Sequence, residues 1–156
     1  MKRGAALIAL PLAIAACGGG STNSSSHTTT HHPSVAAEVN RVKALGLCLE
    51  VRAGTQSLLT DWKPVQSAIN AGDMQPDTTA LQHDVTQLGN NVTALRDLAT
   101  NATDQAHLAA DTAALGQLEV GFQDMASGDM TDALTSIQAG SAGIAGFGTN
   151  TIHICR

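Results

Sequence analysis

Three residues of this chain have the types and the spacing to do chemistry from one side of a helix. Asp104, His107 and Asp111 stand three and four apart, and on an α-helix that spacing stacks two carboxylates and an imidazole along one face. Such a set can hold a divalent metal or pass a proton between an acid and a base. It is the best metal or acid/base constellation in the sequence, but not a specific one. Helical surfaces rich in Asp and His give the same spacing by chance. Metal sites inside helix bundles carry Glu-x-x-His on inward faces, and neither His107 nor His83 has it. His83-Asp84 reads as a polar pair on a solvated face. There is no Gly-x-Ser-x-Gly, no Gly-x-x-x-x-Gly-Lys and no His-Glu-x-x-His, so nothing nominates a nucleophile, a nucleotide loop or a zinc helix. The expectation is a protein that is not an enzyme and needs neither cofactor nor metal.

Two charged residues fall on apolar stripes when read by helical spacing alone. Asp111 sits three after Leu108 and four before Leu115, and Arg52 sits three after Leu49. Either each lies at the edge of its stripe and reaches water, or the two meet in a contact that sets helix register, because an unpaired buried charge is costly.

The composition narrows the partners. Of 156 residues, 8 are basic and 13 acidic, a formal net charge of −5. Phosphate binding needs a basic footprint, so nucleic acid is excluded as a partner. Trp62, Phe122 and Phe147 are the whole aromatic set, too few for platforms that stack sugars or bases.

The chain opens Met1-Lys2-Arg3, continues with a mostly apolar run from Gly4 to Ala13, and then reads Ile14-Ala15-Ala16-Cys17. A positive start, a short apolar stretch and small residues make a secretory signal, too short to span a bilayer as a stable helix. In this segment the chain resembles bacterial lipoproteins, whose lipobox places an aliphatic residue and two small residues before the modified cysteine. The resemblance covers the signal alone. It implies cleavage between Ala16 and Cys17, a diacylglycerol thioether-linked to Cys17, and attachment to the extracytoplasmic face of the cell membrane. Residues 1–16 are then the leader, 17–33 the lipidated cysteine with its tether, and 34–156 the folded domain. Losing Lys2 and Arg3 takes the net charge to −7.

The tether, Gly18 to Pro33, is rich in Gly, Ser and Thr with almost nothing apolar. It cannot offset its own ordering entropy and should be a flexible spacer. His27, His31 and His32 are metal-ligand types, but without a fixed third ligand the polar linker is the simpler reading.

With Cys17 assigned to lipid, Cys48 and Cys155 remain as an even pair in an oxidising compartment, which reads as a disulfide. Geometry agrees. A last helix of about sixteen residues, roughly 24 Å long, would descend beside the first, and the tail behind it can cover the remaining distance to Cys48.

The elements that must position all of these are helices. Four segments have helical apolar spacing. The first runs about Ser34 to Ala71 through Val35, Val39, Val42, Leu45, Leu49, Leu59, Val65 and Ile69, with a bend expected at Pro64. The second, about Asp77 to Asn101, carries Leu81, Val85, Leu88, Val92, Leu95 and Leu98 on one stripe. The third, about Thr103 to Ala126, has Leu108, Leu115, Leu118, Phe122 and Met125. The fourth, about Met130 to Ala145, has Met130, Leu134, Ile137 and Ile144. Gly72-Asp73-Met74 and Gly128-Asp129-Met130 place a glycine where a helix should end, so the same kind of turn is expected twice.

The fold expected is all-α, an up-down-up-down four-helix bundle in which each helix buries its stripe, with an extended tail over Thr149 to Cys155 bonded to the first helix. Gly140, Gly143 and Gly146 would let the fourth helix pack tightly on the first or move over a groove. From Asp73 onward ten acids face only Arg96 and Arg156, which suits a domain held off an anionic envelope or facing a basic partner. The function expected is a membrane-anchored, non-enzymatic binding or spacer module of the cell envelope, meeting an envelope protein or ligand. The alternative is a carrier or chaperone of a small apolar ligand or lipid in an inter-helix cavity.

Overall fold

Ser34 opens the first helix with an extended backbone and a side chain that accepts from the N–H of Ala37 at 3.3 Å, a cap that satisfies one of the helix's orphan donors. The structure, a computed structural model, describes residues 34–144 and 153–155. It contains α1 (Val35–Asn70), α2 (Thr79–Leu98), α3 (Ala102–Ser127), α4 (Met130–Ile144) and a 3-10 turn (His153–Cys155), with no strand among the described residues. The protein is an all-α four-helix bundle.

α1 continues through Pro64. Pro64 and Thr60, whose carbonyl lacks the hydrogen bond that proline cannot give, are both exposed. The two Gly-Asp-Met sequences do form the same turn. Gly72 and Gly128 have φ of +92° and +88°, where a side chain would be strained. Asp73 N donates to Ala68 O, and Asp129 N to Asp124 O, each five residues back; Gly72 and Gly128 donate to the carbonyls three back. This is the Schellman closure, which uses carbonyls the helix leaves unpaired. Asp129 then accepts from Asp132 N at 3.3 Å and caps α4, and Asp77 accepts from Thr79 N at 2.9 Å beside the start of α2.

α2 and α3 bury the stripes expected of them: Leu81, Val85, Leu88, Val92 and Leu95 on one, Leu108, Leu115, Leu118, Phe122 and Met125 on the other. α1 does so only towards its C-terminus, where Val65 is buried and Leu59 and Ile69 are partly buried. Its core-facing residues are Ala44, Val51, Leu58 and Val65, a seven-residue repeat, while Val35, Val39, Val42, Leu45 and Leu49 are exposed. There are two reasons. At 36 residues α1 is about 54 Å long and α2, at 20, about 30 Å, so the turns before Ala44 have no helix to pack against; beyond them the bundle takes the face of Ala44 and Val51, and Val42 and Leu49 lie on the other side of the helix.

Each helix packs on its sequence neighbour, and the 3-10 turn packs on α1. Gly140 and Gly143 of α4 serve the α3 interface, not an α1 interface, which is one of the two roles expected of them. A Cβ on Gly140 would lie 2.7 Å from Ala114 O and from Leu118 Cγ, and one on Gly143 would run into the Ala114 side chain. Of the tail expected to be extended, the stretch before His153 lies outside the described residues, and His153–Cys155 curl into the single 3-10 turn.

Candidate functional site

The first turn of α3 holds the most heavily bonded carboxylate among the described residues. Asn101 caps the helix, its side chain accepting from Thr103 N at 2.8 Å, and this places Asp104 one turn in, facing the C-terminal turn. Asp104 is 2 % exposed. Its Oδ1 accepts from His153 N at 3.1 Å and lies 3.1 Å from His153 Nδ1, and its Oδ2 accepts from Ile154 N at 3.1 Å. Burial alone would raise its pKa. The backbone N–H and ring of His153, the N–H of Ile154 and the attraction of the imidazole outweigh that and hold the carboxyl below the usual aspartate value. A carboxylate of this kind stabilises the fold fully at neutral pH, and its contribution is lost only as pH falls below the ordinary carboxylate range.

One residue further along, Cys155 is bonded to Cys48 of α1, with the Cα atoms 5.8 Å apart, well inside the span a disulfide can bridge. The carboxylate and the disulfide therefore fasten the same three-residue turn, one to α3 and the other to α1. Asp104 and His153 also have the arrangement of the base and orienter of a catalytic triad, since a carboxylate on Nδ1 leaves Nε2 free. The His153 side chain is 62 % exposed, and no described hydroxyl or thiol hydrogen-bonds to its Nε2. The arrangement orients an imidazole but supplies no nucleophile beside it.

His107 and Asp111 do not join Asp104 in a site. Among the described residues no three His, Cys, Asp or Glu side chains converge to hold a metal. His107 is partly buried, and its Nδ1 has no hydrogen-bond partner among the described residues. Asp111 is 7 % exposed; burial pushes its pKa up to about 6, with attraction from His107 acting the other way. Arg52 is exposed and makes no ion pair with Asp111 among the described residues. Of the two readings of these charges, Arg52 follows the one that reaches water, and Asp111 follows neither. His83 is exposed as expected, but Asp84, 3.9 Å from it, is mostly covered, with Oδ2 unpartnered among the described residues. Cys17 and the tether histidines His27, His31 and His32 lie outside the described residues.

Asp111 makes stability depend on pH with a definite sign. Its folded pKa is raised, so its contribution is complete below the unfolded aspartate value near 4 and is lost as pH rises through about 6. Asp111→Asn should therefore gain on the parent protein by about 3 kcal/mol between acid and neutral pH, read from urea unfolding across that range. An equal difference at both ends would show that residue 111 does not titrate there.

Between α1 and α4, on a floor of α3, lies a small apolar cleft. Leu58, Leu59 and Trp62 line one wall and Ile137, Ser141 and Ile144 the other, with Leu118 and Phe122 beneath. Trp62 and Phe122 pack at a tilt, ring centres 6.0 Å apart. The cleft holds about 40 Å³, whereas small-molecule sites usually enclose roughly 300 Å³ or more.

Sequence reasoning missed the Asp104–His153 pair, whose members are 49 residues apart. The available signal was Cys155: once bonded to Cys48, it carries the residues before it past the start of α3. No protein-family model, characterised protein or solved structure matches the chain. No helix among the described residues is long and apolar enough to cross a membrane.

Proposed function

We propose that the chain is an exported lipoprotein, acylated on Cys17 and held on the extracytoplasmic face of the cell membrane, whose helical domain is a non-enzymatic binding or spacer module. The observation that carries the reading is the sequence Ile14-Ala15-Ala16-Cys17 behind a charged start and an apolar run. The Cys48–Cys155 bond supports it, because disulfides persist in oxidising compartments. The length of α1 supports the spacer role. Its N-terminus follows the tether, and about 54 Å away stand Asp73, Asp77, Asp129 and Asp132, all exposed around the two turns. An acidic surface so placed suits a basic envelope partner. The 40 Å³ of the apolar cleft favours this module over a carrier, which would need room for its ligand.

Radiolabelled palmitate supplied to cells expressing the full chain tests the anchor. Label should appear on protein that begins at Cys17 and fractionates with membranes, and Cys17→Ser should abolish the label. Parent protein that stays unlabelled, or keeps residues 1–16, refutes the reading.

A further inference from the structure

Val35, Val39, Val42, Leu45 and Leu49 of α1 are 79, 46, 66, 38 and 69 % exposed. Among the described residues, the other large hydrophobics so exposed are Met74 and Val120. The α1 set is ordered. Val35, Val39, Val42, Gly46, Leu49 and Ala53 follow one another at steps of four and three, and all six are exposed. That is the seam of a two-stranded coil. At about 100° per residue it lies roughly opposite Ala44, Val51 and Leu58, so α1 has one apolar face in the bundle and a second turned away from it.

We propose that this outward face docks a second copy of the same chain, with the two α1 helices antiparallel. Charge complementarity chooses both the partner and the direction. One edge of the seam carries Lys43 and Glu50, the other Glu38 and Arg52; all four are exposed, and none is in an ion pair among the described residues. Antiparallel helices set each edge against the same edge of the other copy, so Lys43 meets the partner's Glu50 and Glu38 meets the partner's Arg52, each contact doubled by the two-fold axis. Parallel helices would bring unlike edges together and match only Glu38 with Lys43. Size gives the same answer. The antiparallel layers put Gly46 against the partner's Val42, Ala53 against the partner's Val35, and Val39 against the partner's Leu49, pairing small with large in two of the three. Parallel layers would stack glycine on glycine and leave a gap. From Ala44 onward the bundle already holds α1 as a helix, so association bears no cost of forming that part.

Sedimentation equilibrium of the purified full chain, from micromolar to several hundred micromolar, tests the proposal. It is run beside Cys17→Ser protein, so that association through acyl chains is distinguished from association through α1 and a missing anchor does not affect the outcome. A reversible dimer is expected in both. Val42→Asp should weaken it by at least about fiftyfold without lowering the unfolding temperature measured at concentrations where both proteins are monomeric. Lys43→Glu should weaken it about fivefold, and adding Glu50→Lys should restore it, whereas adding Glu38→Lys should not. A chain that stays monomeric, an undiminished dimer in Val42→Asp, or rescue by Glu38→Lys overturns the proposal. So does a monomer that binds anionic vesicles through Val42, which would make the face a membrane contact.

Discussion

Cys155→Ser is expected to cost about 4 to 5 kcal/mol of unfolding free energy. The bonded residues are 107 apart, and in the chain-entropy account a bond closing a loop of that length removes about this much from the unfolded state. For a domain whose total stability is of order 5–15 kcal/mol, that is a large share. Two features sharpen the expectation. The bridge holds a turn of only three residues, and the Asp104 carboxylate binds the same turn through His153 and Ile154. Once the bond is gone, Asp104 must hold the tail alone, and part of its hydrogen bonding should go to water. Urea unfolding of Cys155→Ser, of Cys48→Ser and of parent protein with reductant should give closely similar midpoints, all well below that of the oxidised parent. Unchanged midpoints would mean that the tail adds nothing to the cooperative unit.

The same glycine-to-alanine change should have opposite signs at two positions one helix apart. A Cβ on Gly140 would lie 2.7 Å from Ala114 O and 2.7 Å from Leu118 Cγ. The leucine can turn, but the carbonyl belongs to the backbone of α3, so α3 and α4 must separate. Overpacking of this kind costs typically about 1–3 kcal/mol, enough to outweigh the roughly 1 kcal/mol that alanine gains over glycine within a helix. Gly140→Ala should therefore destabilise by about 2 kcal/mol. Gly116, exposed on α3 with nothing within 4 Å of its added Cβ, meets only the propensity term. Gly116→Ala should stabilise by about 0.5–1 kcal/mol. Thermal unfolding of the two variants decides the matter, and a shift of the same sign in both would show that α3 and α4 are not packed at backbone contact.

What a single helix decides about itself could be read from the residues in order. The stripe of α2, Leu81 through Leu95, and that of α3, Leu108 through Met125, identify their buried faces because each helix has one apolar side. The turns at Gly72 and Gly128 were legible for the same kind of reason, since a left-handed residue that closes a helix is a local demand. The two cysteines left after Cys17 could be paired by number and compartment. Asp104, His107 and Asp111 share a helix, and that much is local too.

Tertiary packing decided what no helix carries within itself. α1 has two apolar faces, and which one enters the bundle depends on how the other helices pack against it. Spacing alone picks out Val35, Val39, Val42, Leu49 and Val65, whereas the core takes Ala44, Val51, Leu58 and Val65. Spacing along α3 grouped Asp104 with His107 and Asp111, but the partner that holds Asp104 is His153, brought there by a bond to another helix. The glycines of α4 announced close approach without saying to what, and the answer, Ala114 and Leu118, belongs to α3. Periodicity fixes angles around one axis. Which of those angles meets another element, and at what height, follows only from relative helix lengths and from the cross-link that joins distant parts of the chain.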